Sequence, residues 1–294
     1  MDGNPGSHQP GECWNMKRFA ACMAFLRIHL HCTLSKRGNK QEEKDLHLER
    51  MDKILASRTQ YSRKDAKKLI WQGRVQHNGH RAASPDAKVD LDADTLELDG
   101  KPLLLRKHLY LMMNKPAGVL SAARDPKQPT VLDLVPEEYR RSGLFPAGRL
   151  DKDTEGFVLV TDDGDFAHRI LSPKRHVPKT YRAKIDGPLT EQMIKGFAEG
   201  VTLEDGVLCR PAQLLVLEEG EQPLCQVVLT QGMYHQVKRM FLAFDRRVLW
   251  LKRTAIGGLL LDEALKPGET REILDKEIKM LLGKISVSYT HLAN

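Results

Sequence analysis

The sequence predicts an α+β protein, with short helices and short strands mixed along the chain. Three observations lead there. Residues 54–70 carry an apolar stripe at helical spacing, interrupted by a serine cap, and a strand and an Asn-Gly turn follow. Residues 157–161 are a short apolar, β-branched run, whereas residues 179–185 alternate apolar and polar, so two kinds of strand are present. Residues 226–244 pass from a strand through Gly232 into a helix with Val237, Met240, Phe241 and Phe244 on one face. At 294 residues there is enough chain for one large domain plus a small one. Hydrophobic residues at 41% and charged residues at 29% suit a soluble globular protein, and the net charge of +7 favours a polyanionic partner.

Residues 1–50 lack a core pattern and read as a disordered extension, with Met51 opening the patterned chain. Their most apolar stretch, 19–34, is interrupted by Arg27, His29 and His31, which argues against a membrane span. His29, His31 and Cys32 find no second ligand pair, so no metal is expected. Cysteines 13, 22, 32, 209 and 225 are too scattered for a disulfide scaffold, and a reducing cytoplasm fits them.

Residues 51–98 read as a compact unit. Ile54 and Leu55 open a helical face; Ser62 to Asp65 reads as a capping box before a second helix buried through Ala66, Leu69 and Ile70. Gly73 ends that helix, and Asn78-Gly79 is a tight hairpin turn. Arg63, Lys64, Lys67 and Lys68 fall on the face away from the apolar stripe, with Arg74 close behind. Such a charge run is either a solvated face or a phosphate grip.

A linker then leads to a larger unit over 107–283. Its first strand begins at Tyr110 and meets Asn114-Lys115-Pro116-Ala117-Gly118, where Lys115 beside the turn reads as an exposed lysine. The most informative stretch is 148–164, GRLDKDTEGFVLVTDDG: a charged loop with Arg149 and Asp151, pinned at the mouth of an interior strand. Tyr181 lies on the alternating strand that follows. Lys238 and Arg239 fall in the first turn of the next helix, where the dipole disfavours cations unless an anion lies nearby. A last helix runs to about Leu282, and 284–294 reads as a frayed tail.

Residues 148–164 resemble the GRLDxxTxGLLLLTxDG signature of pseudouridine synthases, in the branch that modifies ribosomal RNA. Phe157 stands where that family usually has leucine. The 110–131 stretch resembles the family's LNKPxGxxxS…PTV segment, and GMYHQVKRM its GRxHQVxRM motif, with Met233 replacing an arginine. SRKDAKKLIWQGRVQHNG resembles the small α-L RNA-binding domain named after a small-subunit ribosomal protein.

The resemblance implies that small domain over 51–98, then a catalytic domain on a mixed, largely antiparallel sheet with the active cleft across its centre. It implies Asp151 as the catalytic carboxylate, Tyr181 as the ring packed on the target base, and Lys238, with Arg239 second, as the cation beside Asp151. Arg63, Lys64, Lys67, Lys68, Arg74, Arg149 and Arg239 become the expected RNA contacts. The implied reaction turns uridine into its C-glycoside isomer without a cofactor, by attack on ribose, attack on the base, or a glycal route.

Branch-like features in 160–173, the KTY strand and YHQVKRMF resemble enzymes acting on small-subunit ribosomal RNA, so structured RNA of that subunit is the expected partner of a monomer. Two alternatives stand beside it: a synthase for large-subunit RNA, and a non-catalytic RNA-binding assembly protein.

Overall fold

In the computed structural model, which describes residues 48–172 and 174–283, the elements follow from local sequence rules and the sheet order from long-range pairing. The expected extension before Leu48, the His29/His31/Cys32 segment and the tail lie outside the described residues. None of the described helices is long and apolar enough to cross a membrane.

The first elements are β1 (Leu48–Arg50), α1 (Met51–Arg58), α2 (Arg63–Trp71), β2 (Val75–His77), β3 (His80–Arg81), β4 (Lys88–Asp90), β5 (Leu96–Leu98) and β6 (Lys101–Pro102). The Ser62 hydroxyl caps α2 by accepting from the Asp65 amide at 3.2 Å. Asn78 and Gly79 take φ 51° and 76°, the left-handed pair that a two-residue hairpin between β2 and β3 requires. Ile54, Leu55, Ala66, Leu69, Ile70, Val75, Val89 and Leu96 close one core. Each large side chain there contributes about 1.5–3 kcal/mol on burial.

Pairing carries this region past the edges read from sequence. β1 lies antiparallel to β4, and β6 extends the β3-β2-β5-β6 sheet to Pro102. Asp52 is fully buried inside a ring of cations: Arg50 at 3.1 Å, Arg63 at 3.2 Å and Lys67 at 3.9 Å. The hydrogen bond from Arg50 does most to hold its carboxyl below the usual range.

The larger region contains β7 (Tyr110–Lys115), β8 (Phe145–Pro146), β9 (Glu155–Thr161), α3 (Gly164–Leu171), β10 (Lys179–Ile185), α4 (Glu191–Glu199), β11 (Gln213–Glu218), β12 (Leu224–Leu229), α5 (Gln236–Leu242), β13 (Val248–Ile256), β14 (Leu259–Leu260), β15 (Thr270–Glu272) and α6 (Asp275–Leu281). They build a nine-stranded sheet in the order β11-β12-β10-β13-β9-β7-β15, with β8 on β9 and β14 on β13. Pairing is antiparallel throughout the described strands except between β9 and β13, which run parallel over Glu155–Lys252 and Gly156–Arg253. The sheet is therefore mixed and mostly antiparallel, as the family resemblance implied.

Period-two alternation splits the central strands between two cores. Leu111, Met113, Val158 and Val160 pack with Leu109, Val131 and Leu150, whereas Met112, Phe157 and Leu159 pack with Phe166 and Ile170 of α3. On the other side of the β9–β13 pairing, Ala183, Ile185, Cys225 and Val227 bury Met193 and Phe197 of α4 together with Val237, Met240 and Phe241 of α5. Gly156 makes the parallel junction feasible: a Cβ there would lie 2.2 Å from the Arg253 carbonyl oxygen, and its φ is +100°.

Candidate active site

The 148–156 loop is fixed from behind before any of its charged side chains matter. The Ser121 hydroxyl accepts from the Leu150 amide and donates to the Leu150 carbonyl, both at 3.1 Å. The Gly118 amide donates to the Lys152 carbonyl at 2.8 Å, and the Thr154 amide to the Asp151 carbonyl at 3.1 Å. Lys115 completes the clamp. Its ammonium donates to the carbonyls of Pro116 at 3.0 Å, Lys152 at 3.1 Å and Thr154 at 2.8 Å.

Lys115 is completely buried, which corrects the reading of it as an exposed lysine. Both faces of β7 are covered, so the chain has no solvent side there, and three loop carbonyls take the place of water. Burial pulls its pKa down to about 8.

With the loop held, Asp151 projects a side chain that is one-quarter exposed. Two groups from the turn before α5 and its first turn reach it: His235 Nε2 lies 3.4 Å from Asp151 Oδ1, and Lys238 Nζ lies 3.5 Å from Asp151 Oδ2. Lys238 is shared. It sits nearer to Asp153, whose two carboxylate oxygens accept from it at 2.6 and 2.8 Å. The Lys238 hydrogen bond holds the Asp153 carboxyl below the usual range. The cation expected beside one carboxylate thus bridges two, which answers why a positive charge can sit in the first turn of α5.

Tyr181 occupies the middle of β10, opposite Val227 of β12 and Arg253 of β13. It is half-buried and packs against two cores at once, one containing Leu150 beside Asp151 and the other Val237 beside Lys238. Buried Arg253 donates from Nε to the Phe157 carbonyl at 2.7 Å, tying β13 to the strand that follows the loop.

The other expected contacts lie apart from this cluster or are engaged within the protein. Arg149 is exposed on the loop. Arg239 pairs with Asp205 at 2.6 Å. Arg63, Lys64, Lys67, Lys68 and Arg74 are exposed on the first region, where Arg63 and Lys67 face Asp52, Lys68 pairs with Asp65 at 3.3 Å and Arg74 with Asp99 at 2.6 Å. Exposed Tyr61 and Trp71 flank that basic face. Among the described residues, no group of three or more histidine, cysteine or acidic side chains is gathered as a metal site.

Sequence reasoning missed His235, Asp153 and Lys115 as parts of the cluster. His235 carried a signal in the HQV string, and Lys115 in its place just beyond the apolar Leu111-Met112-Met113 run.

Similarity to known proteins bears on this geometry. Residues 109–243 match the family model described as RNA pseudouridylate synthase. The RNA pseudouridine synthase YtzG of Bacillus subtilis (strain 168) is 43% identical over 233 residues, 79% of this chain and 98% of that protein. The ribosomal small subunit pseudouridine synthase A of Escherichia coli (strain K12) is 39% identical over 232 residues, 78% of this chain and 98% of that one. A crystal structure of a pseudouridylate synthase superposes with a TM-score of 0.55 at 35% identity, covering 79% of this chain and 99% of its own. Identity at that level over nearly the whole of each relative, on a mixed sheet whose central loop presents GRLD, makes this chain a member of the RNA pseudouridine synthase family, a family of isomerases.

Proposed function

We propose that the protein isomerises a uridine to pseudouridine in small-subunit ribosomal RNA, with Asp151 as the reacting carboxylate. The observation that carries this is the pair of basic side chains, His235 and Lys238, converging on Asp151 at 3.4 and 3.5 Å. Lys238 brings a positive charge beside the carboxylate that would act by attack on ribose, by attack on the base or by proton removal in a glycal route. Breaking the N1–C1′ glycosidic bond, turning the uracil and joining ring carbon 5 to C1′ is redox-neutral: carbon 5 gives up a proton and nitrogen 1 takes one up, nothing else leaves, and the chemistry calls for no cofactor.

The target base must leave its stack to reach a one-quarter-exposed carboxylate. Tyr181, half-buried between the two cores that carry Asp151 and Lys238, supplies an aromatic wall for it. Assignment to small-subunit RNA is supported by relatives such as the Escherichia coli protein named for that subunit. The basic face of α2, flanked by Tyr61 and Trp71, supplies sequence-independent phosphate contacts that position the RNA.

The test is tritium release from ribosomal RNA labelled at uracil carbon 5, with modified sites mapped in cells lacking the protein. Release that depends on Asp151, and one pseudouridine missing from small-subunit RNA, are expected. A site missing from large-subunit or transfer RNA instead would overturn the substrate assignment and leave the chemistry standing.

A further inference from the structure

Tyr234 is the most exposed large hydrophobic side chain among the described residues, at 75%, and it stands one residue from the group that touches Asp151. An aromatic ring in a core removes a large apolar area from water, so a tyrosine left this open is not there for stability. Nor is it loose. Its ring stacks on the imidazole of His235 with centroids 3.8 Å apart and planes 16° from parallel.

The turn beneath is fixed as well. His235 adopts the left-handed conformation, φ 49°, an uncommon state for a residue other than glycine. The Met233 amide donates to the Gln236 side chain at 3.1 Å, and the Gln236 amide returns to the Met233 carbonyl at 3.3 Å. Such a conformation persists where surrounding bonds hold it. Here its effect is to aim two consecutive rings as one stack, His235 inward to the carboxylate and Tyr234 outward to solvent.

We infer that the outer face of Tyr234 is a stacking platform for a nucleobase next to the target uridine, so that Tyr234 is a binding and positioning residue and not a catalytic one. The inference rests on the RNA synthase reading and adds to it a place for the flanking nucleotide. Drawing a uridine out of its stack leaves its neighbour with an uncovered face. A rigid aromatic surface beside the pocket covers that face whatever the base, because every base presents a π-face.

The experiment uses the full chain and a small-subunit ribosomal RNA transcript tritiated at uracil carbon 5. Tyr234→Ala and Tyr234→Leu should raise KM roughly ten- to hundredfold, the range expected for one base–aromatic stack, with kcat within about threefold. Tyr234→Phe should stay within about threefold of wild type in both. Direct binding of the same transcript to all four proteins should follow KM. Wild-type KM in Tyr234→Ala, loss confined to kcat, or rescue by leucine as good as by phenylalanine would each overturn the platform. If wild type releases no tritium, the synthase reading falls, and the binding series still decides on Tyr234: a weaker alanine and an intact phenylalanine variant support the platform, equal affinities overturn it.

Discussion

Replacing Lys115 by methionine isolates the clamp behind the candidate carboxylate. The substitution keeps the buried apolar stem and removes three N–H donors, leaving the carbonyls of Pro116, Lys152 and Thr154 without them. Bonds from a charged donor contribute about 1.5–3 kcal/mol each, and relief from burying the ammonium offsets part of their sum. A net loss of about 2–4 kcal/mol follows, or roughly 5–15 °C in melting temperature for a domain of this size. The loop need shift only about 1 Å for turnover to fall on the order of a hundredfold.

The same group gives a pH signature. Its folded pKa of about 8 lies below the ordinary 10.5, so between those values the unfolded chain keeps a proton that the folded chain has shed. This contribution to stability therefore rises with pH across that window, and below pH 8, with both states protonated, it is constant. The clamp moves the other way, since a neutral amine has two donors for three carbonyls. Turnover should fall on the alkaline side of pH 8, and Lys115→Met should flatten that limb. Tritium release across pH 6–10 and thermal melts, roughly the working range of such assays, make the comparison. Wild-type turnover and melting in Lys115→Met would refute the clamp.

Other substitutions probe the rest of the cluster. Asp151→Ala should abolish tritium release while RNA affinity by filter binding stays within a few-fold. Lys238→Met should lower turnover by roughly a hundredfold through loss of the counter-charge, whereas Asp153→Asn should change it by less than about threefold, because that carboxylate is 73% exposed. Gly156→Ala should destabilise the fold by about 3 kcal/mol or more in a denaturant melt, since the new Cβ meets the Arg253 carbonyl at 2.2 Å. Lys64→Gln with Lys68→Gln should reduce the salt dependence of RNA binding by a slope of about 1–2 and leave kcat unchanged.

What could be read from the sequence was local. The Ser62 cap, the Asn78-Gly79 hairpin and the alternation along β10 depend on neighbours a few residues away, and their physics is written in order along the chain. The α4 helix was harder to see, since within it only Met193 and Phe197 are buried and one four-residue repeat is a weak stripe. Edge strand β11 exposes four of its last residues and has no clean alternation. In the candidate site, GRLD pointed to Asp151, but the partners of Lys238 depend on how α5 meets a loop more than 80 residues earlier in the chain. Lys115 was misread because a charge implies a wet face only where a strand has one, and residues 111–115 have neither face in solvent.

The two-residue parallel contact between β9 and β13 is the only strand pairing among the described residues that joins the two sides of the large sheet, and Ile256 and Leu259 pack with Met112 and Phe157 across it. Asp151 and the Lys115 clamp belong to one half, Tyr181, His235 and Lys238 to the other. Bridging them are the Arg253 bond to Phe157 and the Trp250 indole bond to Glu155 at 3.2 Å. The candidate site is therefore assembled where the 148–156 loop and the turn before α5 meet, and neither segment presents it alone. Asp151 precedes Lys238 in the chain, so during synthesis the carboxylate emerges before its cation. In a refolding experiment, turnover should therefore never recover ahead of strand content, because the candidate site needs both segments in place.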